Sequence, residues 1–327
     1  MVSMRVETAD HWERNINVII VTFNSAAVVR DAVRSLPRGM NVIVVDNASA
    51  DQSVLVAGAE GARCITCDSN IGFGRASNLG AARSSAEFIL FLNPDAVLGE
   101  HALEAMYRAA MRFPDAAIVG PRLIDGEGRT CLRYSSILHP LSDDALNAPC
   151  EPEGVCCMPL LTGAALLCRR SAFEQVGGFD ENIFLYYEDD DLCLRLRRAG
   201  WSLLYEPEAE VFHGSGRSSP QTSAIARFKS AQRLLSRFYI AKKYALPFEP
   251  GYERRKALKR LAISVVKCDR LRFASALGRL GALAQLNDGA TGQTPAQCFN
   301  SGRAQSSRHH AAGNPALTPT AELDRLI

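Results

Sequence analysis

Short continuous runs of apolar residues recur through the first 120 positions of the chain. They lie at 17–22, 41–45, 87–92 and 116–120. Runs of this length, ended by turn residues, are typical of strands buried on both faces. Segments with apolar residues at helical spacing separate them, at 26–36, 76–83 and 102–112. This alternation predicts an α/β fold with a mostly parallel sheet flanked by helices.

The pattern becomes less regular after residue 120. Residues 121–160 have no sustained period and predict a long loop with short strands. We then expect a strand at 160–170, a helix at 171–176 with Ser171 as its N-cap, and helices at 228–244 and 253–286. The expected organisation is a flexible lead-in over 1–14, an α/β domain over 15–250, basic amphipathic helices over 251–287 and a disordered tail over 288–327.

Composition excludes several classes of protein. The chain has 37 Lys and Arg against 35 Asp and Glu, a formal net charge of +2. So small a charge gives no overall positive electrostatic field that would attract nucleic acid. No apolar run reaches the length of a spanning helix. The first residues carry Glu7, Asp10 and Glu13 and lack a signal-peptide pattern. We therefore expect a cytoplasmic protein.

The ten cysteines fit that compartment as reduced, partly buried thiols. Cys64-Ile-Thr-Cys67 has the spacing of half a zinc site, but no second pair of ligands follows at matching spacing.

Polar residues gather just beyond the predicted strands. Asn24 follows the first strand, Asp46 and Asn47 follow the second, and Asn93 and Asp95 follow the third. Asn and Asp favour turns, so one such group could be turn chemistry alone. Three groups at the carboxyl edge of a parallel sheet predict a ligand site there.

Several motifs occur in a diagnostic order. They are Val21-Thr22-Phe23-Asn24-Ser25, Val45-Asp46-Asn47-Ala48-Ser49-Ala50-Asp51, Asn70-Ile71-Gly72-Phe73-Gly74-Arg75-Ala76-Ser77-Asn78, Leu92-Asn93-Pro94-Asp95, Gly178-Phe179-Asp180-Glu181 and Tyr187-Glu188-Asp189-Asp190-Asp191-Leu192. The set resembles the family-2 glycosyltransferases of GT-A fold, especially the bacterial rhamnosyltransferase-like branch, over about residues 15–245. The resemblance implies inverting transfer of a sugar from a nucleotide-sugar to an acceptor hydroxyl.

The resemblance also implies a set of donor-binding residues. Asp46 would accept the N3–H of uracil or thymine, although an Asx-turn closing the strand explains it equally well. Thr22 would line the base pocket with its backbone. Gly72 and Gly74 would allow close backbone approach, and Asn78 lies on the helix that follows. The remaining candidates for contact with the nucleotide-sugar are Asn24, Asn47 and Asn93.

A divalent metal, Mn²⁺ or Mg²⁺, is implied beside the diphosphate. Asn93-Pro94-Asp95 stands where the family has its Asp-x-Asp metal motif, so Asn93 is a departure and Asp95 the remaining carboxylate. His213, within residues 211–216, matches a family histidine of the metal shell. A lone histidine is more often structural, and that alternative stays open.

Four consecutive acids, Glu188-Asp189-Asp190-Asp191, open a predicted helix that ends in basic residues and Gly200. Acids in a first turn complement the helix dipole, which is the simpler explanation. Their mutual repulsion should raise at least one pKa, which suits a general base. By motif position Asp189 would be that base, Glu188 would orient the acceptor, and Asp191 would fix the loop through backbone N–H groups.

These residues together predict a metal-dependent inverting glycosyltransferase. The branch favours dTDP-L-rhamnose as donor, with a UDP-sugar as the other choice, and a saccharide or lipid-linked saccharide acceptor in surface polysaccharide synthesis. A sugar nucleotidyltransferase is an alternative, but it should have a Gly-rich basic loop after the first strand. A non-catalytic sugar-nucleotide-binding module is another. A homo-oligomer also stays open.

Residues 253–279 carry nine basic residues against Glu253 and Asp269. An apolar stripe runs along the same predicted helix, at Leu258, Leu261, Ala262, Val265 and Val266. Either the stripe packs on the catalytic domain, or the helix lies in an anionic membrane interface. The second interpretation would place the protein peripherally on the inner face of the cytoplasmic membrane.

Overall fold

The computed structural model describes residues 12–140, 151–214 and 221–287. Over these ranges, nine strands form one mixed sheet in the order β3-β2-β1-β4-β8-β6-β9-β5, and β7 pairs with β9. The strands are β1 (Ile16–Thr22), β2 (Asn41–Asp46), β3 (Arg63–Thr66), β4 (Phe88–Leu92), β5 (Ala96–Leu98), β6 (Ala116–Ile124), β7 (Cys156–Cys157), β8 (Ala165–Arg169) and β9 (Ser202–His213).

The helices follow the strands in the first half and dominate the last third. They are α1 (Val29–Arg34), α2 (Ser53–Ala59), α3 (Phe73–Ala81), α4 (Ala102–Arg112), α5 (Arg170–Gln175), α6 (Glu188–Arg198), α7 (Ser223–Lys243), α8 (Pro250–Val266) and α9 (Arg270–Asn287). None of the described helices is long and apolar enough to cross a membrane.

The chain divides into two compact units. The first holds the sheet and comprises the described residues of Met1–Asp68, Ser77–Gly178 and Leu192–Ser218. The second comprises those of Ser69–Ala76, Phe179–Asp191 and Ser219–Ile327, and it contains α7, α8 and α9. Helix α7 therefore groups with α8 and α9, whereas the sequence-based scheme left it in the α/β domain.

The α/β prediction is confirmed, and its physical basis is the burial of the apolar runs. All seven residues of β1 and all five of β4 are buried, because each strand has a parallel neighbour and lies in the middle of the sheet. Strands β3, β2, β1 and β4 are parallel. Strand β8 then runs antiparallel between β4 and β6. Two antiparallel steps restore the direction, so β6 and its parallel partner β9 point the same way as β4.

Several predicted boundaries were wrong. Residues 12–15, three of which fall in the expected lead-in, form a 3-10 helix, and residues 1–11 lie outside the described ranges. Helix α5 begins at Arg170 and has no side-chain cap, which corrects the assignment of Ser171. The single helix expected at 253–286 is two helices, interrupted at Cys268, whose φ is 51°. The expected tail at 288–327 lies outside the described residues.

A buried carboxylate joins the three helices of the second unit. The side chain of Glu253 on α8 is paired with Arg237 of α7 and, at 2.5 Å, with Arg279 of α9. Burial acts to raise the pKa of Glu253, but the hydrogen bond from Arg279 and the two guanidinium charges hold that pKa below its usual value. Helices α7 and α9 also cross closely, because a Cβ on Gly278 would lie 2.1 Å from the carbonyl oxygen of Arg227.

Candidate functional site

The loop after β2 is closed by the carboxylate of Asp46. Its Oδ1 accepts hydrogen bonds from Thr22 Oγ1 at 2.8 Å and Ser49 Oγ at 2.5 Å, and its Oδ2 accepts from Ser49 N at 2.9 Å. Only 2% of Asp46 is exposed. Asp46 therefore does close this turn. A carboxylate has about four lone pairs, so one acceptor position at Oδ2 remains for a ligand.

The loop after β1 is tied to the same turn. Asn24 has a φ of 54°, a left-handed conformation that asparagine tolerates. Its N–H donates to Ser49 Oγ and its Oδ1 accepts from Ala50 N, both at 2.8 Å. The N–H of buried Asn47 donates to the Thr22 carbonyl at 2.8 Å. Thr22, Asn24, Asp46 and Asn47 thus meet at the carboxyl ends of two adjacent parallel strands.

The proposed phosphate-side residues also meet in the first unit. His213 ends β9 and lies opposite Ala96 of β5 in the sheet. Its Nε2 is 3.4 Å from Asp95 Oδ1 and 3.4 Å from Asn93 Nδ2. The Asp95 side chain is 2% exposed and that of His213 17%. Strand β9 extends as far as β5, and its last residue, His213, therefore lies beside Asn93 and Asp95.

This cluster offers a cation one carboxylate and one imidazole. No group of three or more His, Cys, Asp or Glu suited to a metal occurs within 12–140, 151–214 and 221–287. Oxygen and imidazole donors suit Mn²⁺, and Mg²⁺ is commonly held by one or two carboxylates plus substrate phosphates. Asp95 and His213 therefore fit an ion whose remaining ligands come from a diphosphate and water.

The glycine loop before α3 makes a close backbone approach. Gly72 has a φ of +89°, and a Cβ there would lie 2.5 Å from the carbonyl oxygen of Phe184. The same oxygen accepts from Phe73 N at 3.0 Å. A Cβ on Gly74 would lie 3.1 Å from Phe179 Cβ. The absence of a Cβ at these two glycines thus allows the segment 179–184, which precedes the acidic helix, to pack closely against the loop.

Asn78 belongs to the first unit and lies close to Gly178 of the same unit. Its Oδ1 would be 2.6 Å from a Cβ placed on Gly178, whose φ is +70°. Only glycine therefore fits at the start of the Gly178-Phe179-Asp180-Glu181 motif.

Two strained tyrosines precede the acidic helix. Tyr186 and Tyr187 have φ values of 71° and 72°, a region that bulky residues rarely adopt. The Arg233 guanidinium lies 4.2 Å from the centre of the Tyr186 ring, and Asp191 N donates to the Tyr187 carbonyl at 2.9 Å. Such strain concentrates at functional sites. Local sequence patterns gave no signal for it.

The four acids of α6 differ in exposure. Asp190 and Asp191 are 2% and 0% exposed, whereas Glu188 and Asp189 are half-buried. Asp189 Oδ1 accepts from Asp190 N at 3.0 Å, so it also complements the helix start. Glu188 and Asp189 are therefore the two acids of this group that retain solvent access.

Asp191 is anchored by side chains of α7 and the residue after it. It accepts from Lys243 Nζ at 2.5 Å and from Tyr244 OH at 2.6 Å. Lys243 also contacts Asp180 at 2.7 Å, and Tyr239 OH donates to Asp180 at 2.9 Å. Burial acts to raise the pKa of Asp180, but these donors and the Lys243 charge lower it overall. Sequence reasoning missed Lys243 and Tyr244, because partners this distant leave no local pattern.

Within the described ranges, no cysteine is joined to another by a disulfide bond. The eight cysteines within the described ranges are free thiols, and Cys150 and Cys298 lie outside them. Burial, and then the Asp46 charge, raise the pKa of Cys64 and of Cys67. A raised pKa disfavours the thiolate that metal binding and redox chemistry need.

Comparison with known proteins extends these observations. A family model described as glycosyl transferase family 2 matches residues 17–177. The chain is 31% identical over 260 residues to the N-acetylglucosaminyl-diphospho-decaprenol L-rhamnosyltransferase of Mycobacterium tuberculosis, covering 67% of this chain and 83% of that protein. It is 30% identical over 162 residues to rhamnosyltransferase WbbL of Escherichia coli, covering 43% of this chain and 60% of that protein.

A solved structure supports the fold assignment. The mannosyltransferase PcManGT from Pyrobaculum calidifontis, determined in complex with GDP-Man and Mn²⁺, aligns with a TM-score of 0.50 and 17% identity. The alignment covers 90% of this chain and 81% of that one. At this identity the likeness concerns the fold alone, which is GT-A.

Proposed function

The chain belongs to glycosyltransferase family 2, and on that premise we propose that it transfers L-rhamnose from dTDP-L-rhamnose to a saccharide or lipid-linked saccharide. The transfer inverts the anomeric centre and serves cell-surface polysaccharide synthesis on the cytoplasmic side of the membrane. The relative of which the chain covers 83% at 31% identity is named as an L-rhamnosyltransferase with a polyprenol-linked acceptor. That relative is the support for the sugar and for the acceptor class.

The observation that carries the chemistry is the meeting of Asn93, Asp95 and His213 at the carboxyl edge of the sheet. Asp95 and His213 would hold Mn²⁺ or Mg²⁺ against the donor diphosphate. When bound, the ion neutralises the charge that develops on the leaving diphosphate. Asn93, which replaces the commoner carboxylate, keeps the charge of this cluster low, so the ion depends on the diphosphate for its affinity.

The nucleobase side of the donor is assigned to the loops after β1 and β2. Asp46 keeps one acceptor position, which we assign to the N3–H of thymine. Thr22, Asn24 and Asn47 would shape the rest of the base and ribose pocket, because their hydrogen bonds to the same turn hold it before a ligand arrives. A preformed pocket lowers the entropic cost of binding.

The acceptor side is assigned to the start of α6. Of the four acids, Glu188 and Asp189 are less buried than the other two, and we assign them to the acceptor. Asp189 takes the proton of the acceptor hydroxyl as that oxygen attacks the anomeric carbon, and Glu188 orients the acceptor. Asp191 acts differently, since its bonds to Lys243 and Tyr244 position the helix start.

Family membership sets aside the sugar nucleotidyltransferase alternative, and Asn24-Ser25-Ala26-Ala27 after β1 contains no Gly, Arg or Lys. The test is a transfer assay with Mn²⁺, a polyprenol-diphosphate-linked N-acetylglucosamine acceptor, and dTDP-L-rhamnose, UDP-glucose or GDP-mannose as donor. The proposal expects transfer from dTDP-L-rhamnose above the other two. Preferred transfer from another donor contradicts the sugar assignment. Donor binding with neither transfer nor hydrolysis supports the non-catalytic alternative.

A further inference from the structure

Helix α8 buries mainly polar or small residues and exposes several large apolar ones. Helices that pack on a protein bury their apolar face, but the buried positions of α8 are Glu253, Ala257 and Ser264. Val265 and Val266 are 59% and 84% exposed. The apolar stripe noted in the sequence therefore does not pack on the described part of the chain at these positions.

The orientation of α8 is fixed by its charged inner face. Glu253 is buried, and Arg237 and Arg279 reach it from α7 and α9. Rotating the helix to bury Val266 would separate these buried charges, which is strongly unfavourable. The outward position of the valines is thus a consequence of the packing of the unit.

Further exposed apolar residues lie on α8 and at the start of α9. Leu258 and Ile263 are exposed on the same helix, as are Leu271 and Phe273 at the start of α9. A largely apolar cavity of about 870 Å³ opens among α7, α8 and α9, and Val265 and Phe273 line it. Exposed apolar residues and an apolar recess therefore adjoin within this unit.

The same elements also carry exposed cations. The exposed basic residues of α8, of the short connection after it and of the α9 start are Arg254, Arg255, Lys259, Arg260, Lys267, Arg270 and Arg272. Of the two acids along 253–279, Glu253 is buried and Asp269 is paired with Arg272 at 3.2 Å. We call this surface, formed by Leu258, Ile263, Val265, Val266, Leu271, Phe273 and the seven cations, the docking face.

We propose that the docking face binds the surface of an anionic lipid bilayer. A bilayer with anionic headgroups satisfies both parts of this face, since acyl chains receive the apolar side chains and headgroups pair with the cations. A second copy of this chain would bring the same cations opposite their own kind. The cavity lined by Val265 offers a recess for one acyl chain.

The test is flotation of the purified full chain with vesicles of phosphatidylcholine alone or mixed with phosphatidylglycerol. The wild type should float with the anionic vesicles only, and high salt should release it. Val266→Asp should lower the partition coefficient at least about tenfold, because a charge replaces an apolar side chain at the bilayer surface. Lys259→Ala should lower it roughly fivefold, the value expected for one cation near an anionic surface.

Leu55→Asp is the matched control, because Leu55 on α2 is 70% exposed and lies outside the docking face. It should float like the wild type, and the melting temperatures of all variants should agree. Flotation of Val266→Asp equal to wild type overturns the proposal. So does equal flotation with both vesicle types, or an absence of flotation. A dimer in solution that Val266→Asp dissociates, without vesicle binding, would assign the face to a second copy.

Discussion

Replacing Gly72 with alanine should destabilise the protein more than a similar change at another glycine of like conformation. Two costs add at Gly72. Its φ of +89° imposes the left-handed region on alanine, at about 1–2 kcal/mol. The new Cβ would also lie 2.5 Å from the Phe184 carbonyl oxygen, and relieving such overpacking typically costs about 1–3 kcal/mol. The expected total loss of unfolding free energy is about 2–5 kcal/mol.

Gly61 separates the two costs. Its φ is +86°, and a Cβ there meets nothing within 4 Å. Gly61→Ala should therefore lose only the backbone term, about 1–2 kcal/mol. Urea unfolding of the wild type and both variants measures the difference, provided that the m-values agree. Equal losses of unfolding free energy for the two variants would refute the argument that glycine is needed at position 72 for close packing against Phe184.

Three further outcomes are expected. Asp189→Asn should lower the transfer rate by about 10²–10⁴-fold while donor binding, measured calorimetrically, is kept. Glu181→Gln, at an exposed acid of the same unit, is the control. Near wild-type turnover of Asp189→Asn would contradict its role. Asp95→Ala and His213→Ala should each need more Mn²⁺ for half-maximal activity, and metal titrations that overlay the wild type would make both residues structural. The pKa of Glu253 is lowered in the folded state from an ordinary value of 4.5. Its contribution to stability should therefore be present above that pH and disappear as the pH falls toward the folded value. Glu253→Gln should flatten the acid side of the stability profile, and an unchanged profile would assign that dependence to other carboxylates.

The central strands could be predicted because their environment is uniform along their length. Every residue of β1 is buried, so the run of apolar letters in the sequence is continuous. Strand β9 was missed for the opposite reason. It contains Glu206, Pro207, Glu208 and Glu210, and its pairing with β6 shifts register near Pro121. An irregular strand with mixed exposure leaves no period of two.

The candidate site was predictable where its residues stand next to strands in sequence. Asp46 and Asp95 follow apolar runs, and the family resemblance added His213. The partners of Asp191 were not predictable, since Lys243 and Tyr244 come from another helix end. The left-handed tyrosines before α6 were not predictable either, because tertiary packing imposes a conformation that tyrosine does not favour. Pairwise contacts over long sequence separations account for both omissions.

The buried carboxylate of Glu253 has a consequence for synthesis on the ribosome. One of its two cations, Arg237, is translated before it, and the other, Arg279, is translated after it. Until Arg279 emerges, a buried Glu253 has only part of its compensating charge, and removing one partner of a buried ion pair costs about 3–5 kcal/mol. Helix α8 should therefore settle only late, after the whole sheet has been translated. A message with a premature stop between codons 254 and 279 would yield a truncated chain whose sheet can form but whose last helices cannot pack around Glu253. Cellular proteases would degrade such a chain.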